Sequence, residues 1–346
     1  MTVHPVHHIV IETGRRPPRL KVRAFDELEI TSGRRRITDR LRLRLPTLKD
    51  LNLLREGDRI TVSLGNEHTG LHPVFDGWIT RISPTGEPVV EAEDSLQRAR
   101  NARIHRTWDR VNASQIAAEV LQEAGLLGVI PGGENLGDRP LRLVADGHTA
   151  EQVLVNIAAQ TGWDFFTLPG ETRVYVGPPF PYSRGILPQT VIPRFRFGFN
   201  ILKADLAYRD REHVGKIRVY VVDIKFRGEG FVVEYPEDGE GPVKTYTLQM
   251  DFDPDNPESR NGARGQAVKF AMEKYAELQQ SGFSGWFTAL LDARLKHSMK
   301  IMIEDPAHPE RSGHYEVEEI TYRVSADGYL MDVNILGSRE ETRGYR

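Results

Sequence analysis

The chain has 346 residues, a formal net charge of −3 and no cysteine, which excludes disulfides, cysteine-ligated zinc and cysteine-nucleophile chemistry. Hydrophobic residues make up 39% and charged residues 27%, the balance of a soluble globular protein large enough for two or three cores. No apolar run approaches the ~18 residues of a spanning helix, "MTVHPVHHIVIETG" is not a signal peptide, and the near-neutral charge gives no global basic field for nucleic acid.

Residues 1–95 are predicted to be all-β. "HHIVIE", "LKVRAFDELEI", "DRLRLRLP", "RITVSL", "VFDGWITRI" and "EPVVEAED" are short strands between Gly- and Pro-rich turns, the spacing of a small barrel or sandwich. In "RLRLRL", Leu41, Leu43 and Leu45 alternate with Arg40, Arg42 and Arg44, so one strand face is apolar and the other cationic. Arginine concentrates in "GRRPPR" (14–19), "GRRRITDRLRLRL" (33–45) and "RARNARIHR" (98–106).

Residues 96–180 read as an α+β module. "NASQIAAEVLQEAGL" places Ile116, Ala117, Val120, Leu121 and Ala124 on one helical face, with Asn112 or Ser114 as cap and Gly125 as stop. In "HTAEQVLVNIAAQTGW", Thr149 and Gln152 have capping-box spacing, Val153, Ile157 and Ala158 face inward, and Gly162 ends the helix. A hairpin follows, "WDFFTL" and "TRVYVG" around "PGE".

Residues 181–346 read as a Pro/Gly-rich linker and a second β-barrel. Its strands are drawn from about 195–245 and 283–337, with a helical insertion at about 262–280. Two stretches share a pattern: "RITVSL" with "FDGWITRISPTGEPVVEAED", and "KIMIEDPAHPERSGHYEVEEITYRVSADGYLMDVNIL". In this alignment Ile60 and Val62 match Ile301 and Ile303, Ile79 and Thr80 match Ile320 and Thr321, and the Gly86 turn matches the Gly328 turn.

The ordered set "LREGDRITVSLG", "FDGWITRIS", "VEAEDSLQRARN", "LQEAGL", "DGHTAEQVLVNIAAQTGWDFFTLPGETRVYVGPP" and "GHYEVEEITYRVSADGYLMDVNIL" resembles the baseplate hub family of contractile phage tails. That family includes the Mu-type tail protein and the hub region of type VI secretion spike proteins. The resemblance covers nearly the whole chain, but each motif is loose and none is catalytic. It implies a mainly β fold with α+β insertions: two similar small β-barrels and a helix–hairpin module per chain, assembling as a pseudo-six-fold homotrimer. The implied partners are a hexameric tail tube protein, a spike protein, and baseplate wedge and tape-measure proteins, with transient DNA passage and no membrane insertion. The implied place is the virion baseplate, after synthesis in the bacterial host cytoplasm. Because the sequence ends soon after the second repeat, at "GSREETRGYR", the spike is expected on a separate polypeptide.

No catalytic, metal or cofactor site is expected. "MDFDPDNPE" (250–258) has calcium-like acidic spacing, but Asn256 and Gly262 stand where a calcium loop needs Gly and Glu. "SGFSGW" lacks the G-x-S-x-G spacing of a nucleophile elbow, and His4, His7 and His8 form no zinc motif. The candidate channel or partner contacts are Arg34, Arg35, Arg36, Arg42, Arg44, Arg98 and Arg103. Arg34, Arg35 and Arg36 are expected to be exposed turn charges, so that changing all three to Ser leaves the fold intact. The competing expectations are a tail-associated peptidoglycan hydrolase and a wall-binding adaptor, the latter because residues 105–176 resemble a LysM-like module.

Overall fold

The computed structural model describes residues 5–14, 19–47, 53–83, 88–133, 138, 140–209, 214–223, 230–250, 252–278 and 282–337. The chain is mainly β. Seven strands come first: β1 (Pro5–Glu12), β2 (Arg19–Val22), β3 (Glu27–Gly33), β4 (Arg40–Arg44), β5 (Arg59–Asn66), β6 (Gly70–Ser83) and β7 (Val89–Asp94). Period-two alternation forms them: in β4 the leucines are buried while Arg40 and Arg42 are exposed, as a sheet with one wet face requires.

The α+β module contains α1 (Gln97–Asn101), β8 (Arg103–Asn112), α2 (Ala113–Glu123), β9 (Gly128–Val129), β10 (Pro140–Thr149), α3 (Ala150–Thr161), β11 (Asp164–Thr167) and β12 (Val174–Gly177). Thr149 and Gln152 close the capping box of α3, and Gly162 terminates it in the left-handed conformation. The α2 terminus differs from expectation. Asn112 occupies the cap position without a side-chain bond; the carboxylate of Asp138 instead accepts from the Ser114 amide at 3.0 Å and hydroxyl at 2.5 Å. Ile116, Val120, Leu121, Val153 and Ile157 pack into one separate core with Trp108 and Trp163.

The remaining elements are β13 (Arg194–Arg196), β14 (Ile201–Arg209), β15 (Lys216–Asp223), β16 (Phe231–Tyr235), β17 (Val243–Met250), α4 (Pro257–Leu278), β18 (Gly282–Leu290), β19 (Lys300–Glu304), β20 (Gly313–Ser325) and β21 (Gly328–Gly337). In the first β region the pairing runs β1-β5-β6-β7-β4-β3, and in the second it runs β13-β19-β20-β21-β18-β14. Ranked along the chain, both read first, fourth, fifth, sixth, third, second. One difference is that β1 is antiparallel to β5 whereas β13 is parallel to β19; another is β2, which pairs with β1 and has no counterpart. Phe197 also bridges Ile201, so the second path returns from β14 towards β13. The two regions fuse into one 13-stranded sheet where β3 pairs with β20, over a continuous core that includes Leu28, Ile30, Leu41, Ile60, Phe287, Ile320 and Val333.

The register refines the expected superposition. Ile79 pairs with Ala92 and Ile320 with Val333, so these two isoleucines hold equivalent positions. A bulge at Thr80 then breaks its match to Thr321, because Arg81 is the residue that pairs with Glu91. Glu91 lies two residues from Glu93, and β21 has Asp332 opposite Thr321 at the corresponding place. A second bulge, at Glu318, shifts the neighbouring strand: Val62 opposite Phe75 corresponds to Ile301 opposite Tyr315. Ile60 is therefore displaced two residues from Ile301, a slip that keeps the same face buried. Gly86 lies outside the described residues.

The strands that begin within 216–245, expected to belong to the second barrel, pair among the described residues only with one another, in the order β16-β15-β17. The helix expected at 262–280 starts earlier, at Pro257, and covers this sheet. Ala263, Ala267 and Ala271, one turn apart, let its backbone approach Ile217, Val219, Val221 and Val233. The insertion is thus a unit with its own core. It interrupts the hairpin of β14 and β18, whose last pair is Arg209 with Gly282. Replacing residues 210–281 by a two-residue Asn-Gly turn should therefore leave the large sheet folded. A cooperative melt and retained β circular dichroism are expected; an unfolded product would show that the insertion is needed for the hairpin.

Candidate functional site: a buried polar junction and the arginine-rich strands

Three structural units meet around the turn after β3. Arg34 is 7% exposed. Its guanidinium donates to Asp164 of β11 at 2.7 Å and to Glu318 of β20 at 3.3 Å, and lies 4.2 Å above the Phe180 ring. One side chain thereby ties the first β region, the α+β module and the second β region. Burial pushes the Asp164 carboxyl up, and Arg34 offsets part of that. Arg35 reaches Glu318 at 3.4 Å with most of its side chain exposed, and Arg36 pairs with Glu319 at 2.5 Å.

Beneath this lies a second polar layer. Asp39 accepts from the Ser32 hydroxyl at 2.6 Å and from the Gly33 amide at 3.2 Å. Asp94 accepts from the Asp39 amide at 2.8 Å and from the Leu96 amide, just ahead of α1, at 2.9 Å. Both carboxyls are buried. Burial raises Asp39 well above the carboxylate range, reinforced by the charge of Asp94, and burial raises Asp94 to about 7. His297 and Ser298 are fully buried, and burial, reinforced by the charges of Arg34 and Lys296, lowers the imidazole to about 3. Its Nε2 has no hydrogen-bond partner, and Phe166 meets the ring edge-on at 4.5 Å. These groups are built into the interior, which suits a structural role better than contact with a substrate.

The remaining arginines expected at a channel or partner surface belong to separate elements. Arg42 is exposed on β4, opposite Glu29 and Glu91 in register. Arg44 pairs with Glu27 at 3.1 Å and Arg40 with Glu93 at 3.6 Å. The cationic face of β4 is thus flanked by glutamates from both neighbours and forms an alternating charge ladder. Arg98 stacks over Trp78 at 4.2 Å, and Arg103 donates to the Gly147 carbonyl at 2.9 Å. Arg34 is the residue that departs from the sequence expectation. Its turn folds inward because Glu318, extruded at the β20 bulge, and Asp164 supply the opposing charge.

The other motifs resolve into local structure. Asp253 accepts from the Asp255 amide at 3.1 Å, and Asn256 accepts from the Ser259 amide at 3.3 Å, which caps α4; Asp251 and His4 lie outside the described residues. Among the described residues no group of three or more His, Asp or Glu is placed to hold a metal ion. Gly285 of "SGFSGW" has φ +147°, and a Cβ there would lie 2.0 Å from the Asp205 carbonyl, so close strand approach requires this glycine.

Two outcomes are expected. Arg34→Ala should destabilise the protein by roughly 3–5 kcal/mol, because it strands a buried carboxylate, and the triple Ser variant should share that loss. Unchanged chemical denaturation would contradict the junction. Asp39 and Asp94 bind their protons more tightly folded than unfolded, so their contribution to stability falls as pH rises from the ordinary carboxylate range through about 7. His297 acts oppositely, costing stability as pH falls from 6.5 towards 3. Asp39→Asn, a neutral isostere, should therefore raise the melting temperature at pH 8 relative to the native protein and have less effect at pH 5. A lower melting temperature at pH 8 would contradict it.

The sequence matches no family model and no curated protein. Solved structures do match. A tail protein from Neisseria meningitidis MC58 superposes with a TM-score of 0.66 at 14% identity, over 95% of this chain and 96% of that one. The 43 kDa tail protein of prophage MuSo2 from Shewanella oneidensis gives 0.63 at 13%, over 95% and 97%. The E. coli c3393 protein, a component of the type VI secretion system with structural similarity to the T4 tail proteins gp27 and gp5, gives 0.52 at 13%, over 93% and 75%. The chain therefore has the fold of these phage tail and secretion-system proteins.

Proposed function

We propose that this chain is a structural baseplate hub of a contractile phage tail or related injection machine, without catalysis of its own. Three copies form a ring in which each chain supplies two β-barrels, six in all. The observation that carries this reading is the strand order that occurs twice, first-fourth-fifth-sixth-third-second, within one chain. A three-fold object offers six equivalent contacts when each protomer presents the same surface twice. The ring would dock a hexameric tail tube on one face and a three-fold spike on the other, leaving a central channel that ends the tube. Support comes from the near full-length match to phage tail proteins and from interior polar groups that bind units together. Wedge and tape-measure proteins are the further partners in this reading, and its place is the virion tail. Among the described residues no helix is long and apolar enough to cross a membrane.

Native mass spectrometry of the purified chain should give a three-chain assembly, with contacts of roughly 2,000 Å² or more, as obligate interfaces have. The cognate tail tube protein should co-purify with that assembly. A monomer or dimer at every concentration tested would sink the proposal.

A further inference from the structure

The junction between the two β regions within one chain is also a template for a contact between chains. Antiparallel pairing of β3 with β20 places Ser32 opposite Ile320, Thr31 opposite Thr321 and Ile30 opposite Tyr322. The counterpart of β3 in the second region is β14, and the counterpart of β20 in the first is β6. Among the described residues, both counterparts have an edge without a strand partner. Along β14 the ladder is to β18 on one side, and beyond the Ile201 bridge its other edge is open. Past Ile79, which bonds Asp58 and Gly57, β6 is paired with β7 alone among the described residues.

The equivalence fixes a register. Ile30 reaches Ala92 through Leu41, and Ala204 reaches Val333 through Phe287. Ala92 and Val333 face Ile79 and Ile320, so Ala204 takes the place of Ile30. On the other strand the Thr80 bulge makes Arg81 the counterpart of Thr321 and Ile82 that of Tyr322. We infer that β14 of one protomer pairs antiparallel with the end of β6 in a second copy of this chain, beyond the Ile79 position held by Asp58 and Gly57, with Asp205 opposite Arg81 and Ala204 opposite Ile82.

That register was set by backbone pairing alone, and the side chains agree with it. Leu206, Ala204, Ile79 and Ile82 all pack against the large core from their own strands, so the pairing joins apolar faces. Asp205 and Arg81 are exposed and of opposite charge. Asp205 makes no ion pair among the described residues, while Arg81 makes a long one with Glu91, 3.7 Å. Where the internal junction has two threonine hydroxyls 3.3 Å apart, the contact between copies would have an ion pair. The edge is also unusually apolar: Phe199 is 80% exposed, and Leu202 and Tyr208 57% each. A long uncovered edge of this kind favours pairing with another chain. The contact is head-to-tail, with one donor and one acceptor edge per copy, and the three-fold rotation of the hub reading closes it into a ring.

This inference rests on the hub reading for its three-fold closure, and cysteine cross-linking separates the two. The chain has no native cysteine, so Asp205→Cys with Arg81→Cys introduces one pair. Opposed Cα atoms in an antiparallel ladder lie about 4.5–5.5 Å apart, within disulfide reach. Mild oxidation should give a covalent trimer on a non-reducing gel, and each single variant should give none. Arg81→Glu alone should abolish the assembly at concentrations where the native chain is assembled, with its melting temperature unchanged. Adding Asp205→Arg should restore it. A native assembly of three chains with no cross-link and no charge-swap rescue would overturn the β14–β6 contact and leave the hub reading standing. A native chain that never assembles would overturn both.

Discussion

The pairing of β3 with β20 is the constraint on which the rest of the molecule depends. Without it, two small β regions would be joined by a module and a linker. With it, they share one sheet and one core. The strands are 290 residues apart at Thr31 and Thr321, so the contact closes a very long loop and gains little from chain proximity. Local interactions compensate. Arg34 crosses from the β3 turn to Glu318, Arg36 reaches Glu319, and the Tyr322 hydroxyl donates to the Leu295 carbonyl from the buried side of the same strand. Apolar burial on one face and ion pairs at the end of the ladder fix both register and angle.

Charge is distributed to serve that geometry. Arginine and glutamate alternate across β3, β4 and β7, so a strand that is cationic when read alone is nearly balanced in the sheet. Exposed pairs of this kind add little stability each, but they disfavour a one-residue slip, which would set the arginines of β4 opposite the apolar positions of β3 and β7. The junction around Arg34 differs in kind. There the charges are buried, their removal singly is costly, and the gain is in specifying which three units meet. The raised carboxyls of Asp39 and Asp94 are the cost of ending β3, β4 and β7 so close together.

Much of this was legible in the sequence. Period-two alternation located most strands of the first region, although "LKVRAFDELEI", expected as one strand, is broken at residues 23–26 into β2 and β3, and capping chemistry located α3 to the residue. The repeat was visible at Ile79 and Ile320 because hairpin register preserves spacing. It was misaligned by two residues at Ile60 because bulges at Thr80 and Glu318 have no side-chain signature. The strands of the insertion were assigned to the wrong sheet, since strand propensity says nothing about partners. Arg34 could not be separated from Arg35 and Arg36: three adjacent arginines are alike in sequence, and only the fold brings Asp164 and Glu318 to one of them. Asp39 and Asp94 carried no signal in the sequence, since their burial comes from the meeting of β3, β4 and β7.

The central claim is that one chain presents the same β unit twice so that three copies match a six-fold partner. The most direct measurement is a cryo-electron microscopy reconstruction of the assembled protein, computed without imposed symmetry. The account requires three chains around an open channel, with six β units alternating first and second copies at nearly equal angles. A closed, channel-free oligomer, or one in which the two β regions of each chain lie at unrelated radii, would contradict it.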